Sequence, residues 1–206
     1  MNSPAERRDD QMILEGVVTT RNADGSVNVS PMGPVVDRGM DAIRLRPFNT
    51  STTYQNLVRE RSGIFHVTDD VMLLAQTAIG HPVTPSFDQT QPTELESLSG
   101  LVLANACRWY AFEVTEIDDS EQRVEISCHV VSRGRLRDFV GWNRAMHAVL
   151  EAAILATRVH MSPKDRLLQQ LQPLATIVDK TASDTERRAF AMLSEFIASA
   201  PSPEDG

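Results

Sequence analysis

Met12-Ile13-Leu14-Glu15-Gly16-Val17-Val18-Thr19-Thr20-Arg21, then Asn22-Ala23-Asp24-Gly25, then Ser26-Val27-Asn28-Val29-Ser30, then Pro31-Met32-Gly33-Pro34: this run decides the fold. Residues 12–21 are rich in Ile, Leu, Val and Thr, and Val27 and Val29 alternate with polar Asn28 and Ser30 as in a half-buried strand. The four residues between them suit a type I turn closed by a left-handed glycine. A β-hairpin is expected, followed at once by the loop Ser30-Pro31-Met32-Gly33-Pro34.

Working outward, Ala42 to Leu45 is a short strand ended by Pro47. Tyr54, Leu57, Val58 and Arg61 share one face of a helix over 52–61, which Ser62-Gly63 should stop. A strand over 64–68 follows, and Asp69 or Asp70 caps a helix from Val71 to Ile79 that Gly80 and Pro82 end. Residues 81–100 hold three prolines and read as a long surface excursion, a lid or a dimer arm. Two strands come next, 108–117 and 123–132, the second with Val124, Ile126, Cys128 and Val130 on one face and Arg123, Glu125, Ser127 and His129 on the other.

After Gly141 the period changes from two to about 3.6. Helices are expected over 143–159, from the Ser162-Pro163 cap onward with a break or kink at Pro173, and from Ser183 or Asp184 to about Ala198. The expected organisation is a β-rich domain over 11–140 and a helical region over 141–199, with disordered ends over 1–10 and 200–206.

The 206 residues suffice for one domain with a sizeable core and an appendage. A formal charge of −8 speaks against nucleic acid as a partner, because a phosphate-backbone footprint needs a basic face. Cys107 and Cys128 lie in strand-like patterns without a CxxC spacing and read as buried thiols. Met1 to Gln11 lacks the apolar core of a signal peptide and no stretch reaches membrane-spanning length, so a cytoplasmic protein is expected.

Thr50, Ser51, Thr52 and Thr53 place four adjacent hydroxyls at a helix start, just downstream of Arg44 and Arg46. Capping needs one; a terminal phosphate uses several donors and a guanidinium fork. Two readings stand for this cluster, a phosphate site and an over-provided cap beside solvated arginines. Two also stand for Ser30-Pro31-Met32-Gly33-Pro34, whose backbone groups could meet a flat heterocycle or simply end a strand.

Taken in order, these motifs resemble a known family. The hairpin, Asn28-Val29-Ser30-Pro31-Met32-Gly33, Arg46, the Ser/Thr cluster and the Thr53-x-x-Asn56-Leu57 helix are similar to the FMN-binding split-barrel proteins related to flavin reductases. Met12-Ile13-Leu14-Glu15-Gly16 and, near the carboxy end, Asn143-Arg144-Ala145, Glu151-Ala152 and Ala156-Thr157-Arg158 resemble the domain of unknown function 447 branch. The likeness spans about 11–198. It implies an α+β protein, a Greek-key split β-barrel with a C-terminal helical appendage, a homodimer, and FMN at the subunit interface. By motif order, Ser30, Met32 and Gly33 would lie along the isoalloxazine, Arg46, Ser51, Thr52, Thr53 and Asn56 would hold ribityl and phosphate, and Thr68 and Asp69 would be further ring contacts.

The family implies a flavin-reductase-like oxidoreductase using a nicotinamide donor, or else a protein that stores, senses or delivers FMN, with a loose link to tetrahydromethanopterin one-carbon metabolism. Residues 48–54 hold no lysine, unlike the phosphate loop of pyridoxamine-phosphate oxidase relatives, and no GxGxxG follows a strand. No acid or base stands out as catalytic. His147 and Glu151 have helical i, i+4 spacing but no third metal ligand nearby, so a helix-surface pair is the simpler reading and no metal is expected. Trp109, Tyr110 and Phe112 could stack on a flavin or fill a core, and Arg144 could bridge to a ligand or stand exposed at a helix start.

Overall fold

The computed structural model describes residues 11–88, 98 and 100–201. The expected disordered ends therefore fall almost wholly outside the described residues, as does the middle of the 81–100 excursion. The chain divides into two units, 1–67 with 86–137, and 68–85 with 138–206.

Alternating apolar side chains make the first unit a curled antiparallel sheet. Its strands are β1 (Met12–Ile13), β2 (Gly16–Arg21), β3 (Val27–Met32), β4 (Val35–Val36), β5 (Ala42–Leu45), β6 (Ser62–Val67), β7 (Arg108–Asp118) and β8 (Glu125–Arg135). They lie in the order β1-β4-β5-β8-β7-β6-β2-β3. The expected turn is present: the Asn22 N–H donates to the Ser26 carbonyl at 2.8 Å, and Gly25 takes a φ of 86°, which glycine adopts without steric penalty.

The hairpin keeps one register along its length. Arg21 faces Val27, Gly16 faces Met32, Ile13 faces Val35 and Met12 faces Val36, and the Leu14 N–H donates to the Pro34 carbonyl in between at 3.1 Å. Consecutive pieces of one strand, β1 and β2, thus stand near opposite ends of the sheet order. The hairpin draws those ends together, and the sheet becomes the expected split barrel with its break at Leu14-Glu15 and Gly33-Pro34.

Val18, Leu45, Leu57, Phe65, Phe112, Val124 and Ile126 fill the barrel, each fully buried. Burying one such side chain stabilises by roughly 1.5–3 kcal/mol. Trp109, Tyr110 and Phe112 are buried too, so the aromatic run on β7 is core. Trp109 faces Gly134, where a Cβ would lie 2.5 Å from the indole, so the ring lies flat on that glycine.

Helix α1 (Thr52–Glu60) begins at Ser51, whose hydroxyl oxygen accepts from the Tyr54 N–H at 3.2 Å. It ends at Arg61, which takes a φ of 57° while its guanidinium donates to the Val114 carbonyl at 3.2 Å. Ser62-Gly63, expected to stop this helix, instead opens β6: the arginine supplies the left-handed cap, and its long side chain is anchored across β7.

The second unit holds α2 (Val71–Ala78), α3 (Arg144–Ala156), α4 (Lys164–Thr181) and α5 (Asp184–Ser199) around Ala75, Val149, Ala152, Leu167, Leu193 and Ile197. Asn143 caps α3, and Ser183 with Glu186 forms a capping box on α5. Pro173 lies inside α4, which runs through it. Among the described residues no helix is long and apolar enough to cross a membrane.

Candidate functional site

The start of α1 is fastened to the hairpin by a polar network. Asn28 Nδ2 donates to Thr53 Oγ1 at 3.1 Å and to Thr20 Oγ1 at 3.2 Å. Asn56 Nδ2 donates to Thr20 Oγ1 at 3.0 Å and to Asn22 Oδ1 at 2.8 Å, and Asn56 Oδ1 accepts from Arg59 Nη2 at 3.0 Å. Thr53 and Asn56 are buried, so partners of this kind are what their burial requires. Ser51 is committed at the cap and also donates to the Phe48 carbonyl at 2.7 Å, while Thr50 and Thr52 are exposed.

Beside this helix start lies a cluster of arginines. Ile43 and Leu45 of β5 point into the barrel, so Arg44 and Arg46 alternate onto its outer surface. They share one carboxylate: Glu125 Oε1 is 3.3 Å from Arg46 Nε, and Oε2 is 3.7 Å from Arg44 Nη1. Arg123 Nε donates to the Arg46 carbonyl at 3.2 Å, and its guanidinium lies 5.3 Å from the centre of the Phe48 ring. Arg44, Arg46 and Arg123 thus gather beside the Glu125 carboxylate on a chain of net charge −8. The sequence marked Arg44 and Arg46; Glu125 and Arg123 it placed only on the wet face of a strand, because the partner of that face across β5 and β8 could not be known.

At the other end of β3 lies the split. In an antiparallel ladder, opposite residues alternate between exchanging both hydrogen bonds and exchanging none. The Asn22–Ser26 and Leu14–Pro34 bonds fix the even-numbered positions as the bonding pairs. The backbone groups of Val29, Pro31 and Gly33 therefore turn away from β2, at the edge of the sheet. Pro31, which has no N–H to give, is accommodated for the same reason. The loop expected at 30–34 is shorter than the sequence suggested: Ser30, Pro31 and Met32 belong to β3, and only Gly33-Pro34 interrupts it. Met32 packs on the barrel core, and Ser30 is half-buried.

Gly33 stands opposite Glu15 in the unbroken register. A Cβ on Gly33 would lie 2.7 Å from each oxygen of the Glu15 carboxylate, so that carboxylate covers the glycine. From Asn28, tied to α1, to Gly33 is five residues of extended chain, on the order of 15 Å.

Thr68 and Asp69 belong to the second unit. There Thr68 Oγ1 accepts from the Asp70 N–H at 3.0 Å, and Asp69 Oδ2 accepts from the Val140 N–H at 2.9 Å. His66 is fully buried, its Nδ1 3.2 Å from the Val17 carbonyl and its Nε2 accepting from the Leu103 N–H at 3.2 Å. Those partners select the neutral ring with the proton on Nδ1, and burial pushes its pKa down to about 4. Both cysteines are buried thiols outside any disulfide, and burial pushes Cys128 up to about 12. His147 meets the Trp142 ring at 5.3 Å, and no group of three or more His, Cys, Asp or Glu able to hold a metal occurs among the described residues.

Two family models match the chain. One, described as the N-terminal domain of a protein of unknown function (DUF447), covers residues 14–137; the other, described as a protein of unknown function (DUF447), covers 143–195. No curated protein sequence matches. An FMN-bound protein from Methanosarcina mazei is similar in structure over 89% of this chain and 94% of that one, with a TM-score of 0.75 and 23% identity. The flavin reductase of styrene monooxygenase from Pseudomonas putida S12 is similar over 60% of this chain and 80% of that one, with a TM-score of 0.47 and 11% identity. For an FMN-binding protein from Thermus thermophilus the shares are 66% and 78%, with a TM-score of 0.46 and 12% identity.

Proposed function

The chain belongs to the DUF447 family, and from that premise we propose that it binds FMN non-covalently and works as an oxidoreductase of flavin-reductase type. The observation that carries this reading is the edge of β3. Its outward backbone groups at Val29, Pro31 and Gly33 offer the donors and acceptors that the pyrimidine side of a flavin needs, and they end at a residue with no side chain. The other end of the same strand is tied to a helix start flanked by Arg44 and Arg46, where a phosphate would sit. The solved structure of the similar Methanosarcina mazei protein, which holds FMN, supports the choice of ligand.

On this reading Ser30, Met32 and Gly33 line the ring, and Arg46, Ser51 and Thr52, joined by Arg44, hold the phosphate. Thr53 and Asn56 contribute by holding α1 against the hairpin. Bound FMN supplies hydride or electron transfer at its N5 edge, and the chain positions it and limits what reaches it. A second copy of the chain completes the site, covering the β3 edge beside exposed Met12 and Ile13, and FMN-loaded protein should sediment at twice 22.8 kDa.

A second reading, an FMN carrier without catalysis, is favoured by the place of three reactive side chains: His66, Cys107 and Cys128 are committed to the core. Anaerobic mixing of the FMN-loaded protein with NADH or NADPH decides between them. Bleaching of the flavin well above the rate of free FMN supports the reductase; bleaching at the free rate supports the carrier.

Gly33 gives a local test of the ring position. In Gly33→Ala the three atoms nearest the new methyl belong to the end of the flexible Glu15 side chain and not to backbone, so the fold should melt within a few degrees of the parent. The methyl stands where the ring would lie, and FMN affinity should fall at least about tenfold, a change of about 1.4 kcal/mol. Calorimetry of binding beside a thermal melt separates the two effects, and unchanged affinity would move the ring off Gly33.

A further inference from the structure

The outer face of the sheet next to β3 is not bare. Val18 belongs to the barrel core, so Thr19, its neighbour on β2, points to the outer side. Thr19 is fully buried all the same, and segment 100–103 lies across it. A Cβ on Gly100 would lie 2.7 Å from the Thr19 carbonyl oxygen, and Thr19 Oγ1 donates to the Leu101 carbonyl at 2.9 Å. Two residues on, the Leu103 N–H donates to His66 Nε2 at 3.2 Å, while Val102 packs with Ile64, Trp109 and Ala111 in a small core separate from that of the barrel.

We propose that this segment is a fixed wall of the FMN site, and that Leu101 covers one face of the bound isoalloxazine. The inference rests on the ring position proposed above. Val29 is the cross-strand partner of Thr19 and Pro31 that of Val17, and such partners share a face of the sheet, so their side chains stand on the side that the segment occupies. The tie between Thr19 and Leu101 thus lies one strand spacing, roughly 5 Å, from the β3 edge. A ring bound edge-on to the outward backbone groups of Val29, Pro31 and Gly33 turns one face toward this side.

Burial singles out Leu101 within the segment. Gly100, Val102 and Leu103 are buried, and Leu101 alone of the four keeps part of its surface open. An apolar side chain on an anchored backbone suits a flat ring, because little ordering remains to be done when the ring arrives. Thr19 is the positioning residue: its hydroxyl holds the Leu101 carbonyl and has no contact with the ligand. With one face covered, a hydride donor or any other reactant reaches the flavin from the opposite face, so the wall selects what reacts by the side from which it can approach.

The test pairs ligand titration with acrylamide quenching of the fluorescence of the flavin on FMN-loaded protein. Leu101→Ala is expected to weaken FMN and riboflavin alike, about fivefold each, because the lost contact is with the ring that both share. The quenching constant should rise at least about threefold as the uncovered face opens to solvent. Leu101→Met keeps the bulk and should restore both values. Thr19→Val removes the tie and keeps the shape, and it should raise quenching in the same direction, with Thr19→Ser returning it to the parent value. Should Leu101→Ala not fold, the Thr19 pair carries the test alone. Parental affinity and quenching in Leu101→Ala, or in Thr19→Val where that variant must serve, overturn the wall; if Gly33→Ala still weakens FMN, the ring position stands without it. A parent protein that takes up no FMN overturns the FMN reading, and the inference with it.

Discussion

Replacing Arg44 and Arg46 together by alanine is expected to weaken FMN about a hundredfold while leaving riboflavin within about threefold. The two ligands differ only by the phosphate, so their difference reports the phosphate site alone. A hydrogen bond to a charged group contributes on the order of 1.5–3 kcal/mol, and the Arg46 side chain is 50% exposed, so about 3 kcal/mol for the pair is a discounted sum. The double variant also leaves Glu125 without its two partners, and that uncompensated carboxylate repels phosphate. The converse change should act the other way: Glu125→Gln frees both arginines and should tighten FMN several-fold. Titration of each variant with both ligands, followed by flavin fluorescence quenching, checks this. Equal weakening of FMN and riboflavin would place the phosphate elsewhere.

Acid should unfold the barrel through His66. The ring has an ordinary pKa near 6.5 in the unfolded chain and about 4 in the folded one, so between those values the unfolded state binds a proton that the folded state refuses. The sign is therefore definite: the contribution is complete above about pH 6.5, is lost progressively as pH falls toward 4, and changes no further below that. Its full size is roughly 3 kcal/mol, a large share of the stability of a domain. Protonation also costs Nε2 its role as acceptor for the Leu103 N–H, so segment 101–103 should loosen first. Asp37 acts lower on the scale. The Ala42 N–H, with help from Asp41 and Gly39, holds its carboxyl below the usual range, so what it contributes is lost only as pH falls further. Urea unfolding at closely spaced pH values should show a decline between pH 6.5 and 4 that His66→Asn largely abolishes. A parent curve flat across that window would mean that the ring is charged or hydrated in the folded protein.

The local structure was legible because its signals were local. The Asn22-Ala23-Asp24-Gly25 turn, the helix start in the hydroxyl cluster 50–53 and the period-two face of Val124, Ile126 and Cys128 each depend on residues within a few positions of one another, and each is found. The start of β6 was misjudged because Arg61, not the following glycine, supplies the left-handed cap, and its anchor on Val114 lies 53 residues away. The length of the loop at 30–34 was misjudged for a related reason. Whether a proline ends a strand depends on which way its missing N–H would have pointed, and that is set by the pairing register.

The allegiance of α2 could not be read from the chain either. Val71 and Ala75 pack among the alanines of α3 and the apolar face of α5, partners that begin some seventy residues later. In the candidate site, the arginines and the Ser/Thr cluster were visible as a pattern of types. Invisible were the Asn28–Thr53 and Asn56–Asn22 bonds that give Thr53 and Asn56 a scaffolding task, and the Glu125 carboxylate that Arg44 and Arg46 share. Glu15 was quoted only as part of a motif. Its meeting with Gly33 depends on a register that runs through the split without slipping.

The most direct measurement is the ligand content of the purified chain, read by absorbance and confirmed by mass of the released chromophore, with FMN then added back to stripped protein. The account predicts a yellow protein that releases FMN, and a stripped form that regains one FMN per chain in preference to riboflavin. A colourless chain that excess FMN cannot turn yellow would contradict it.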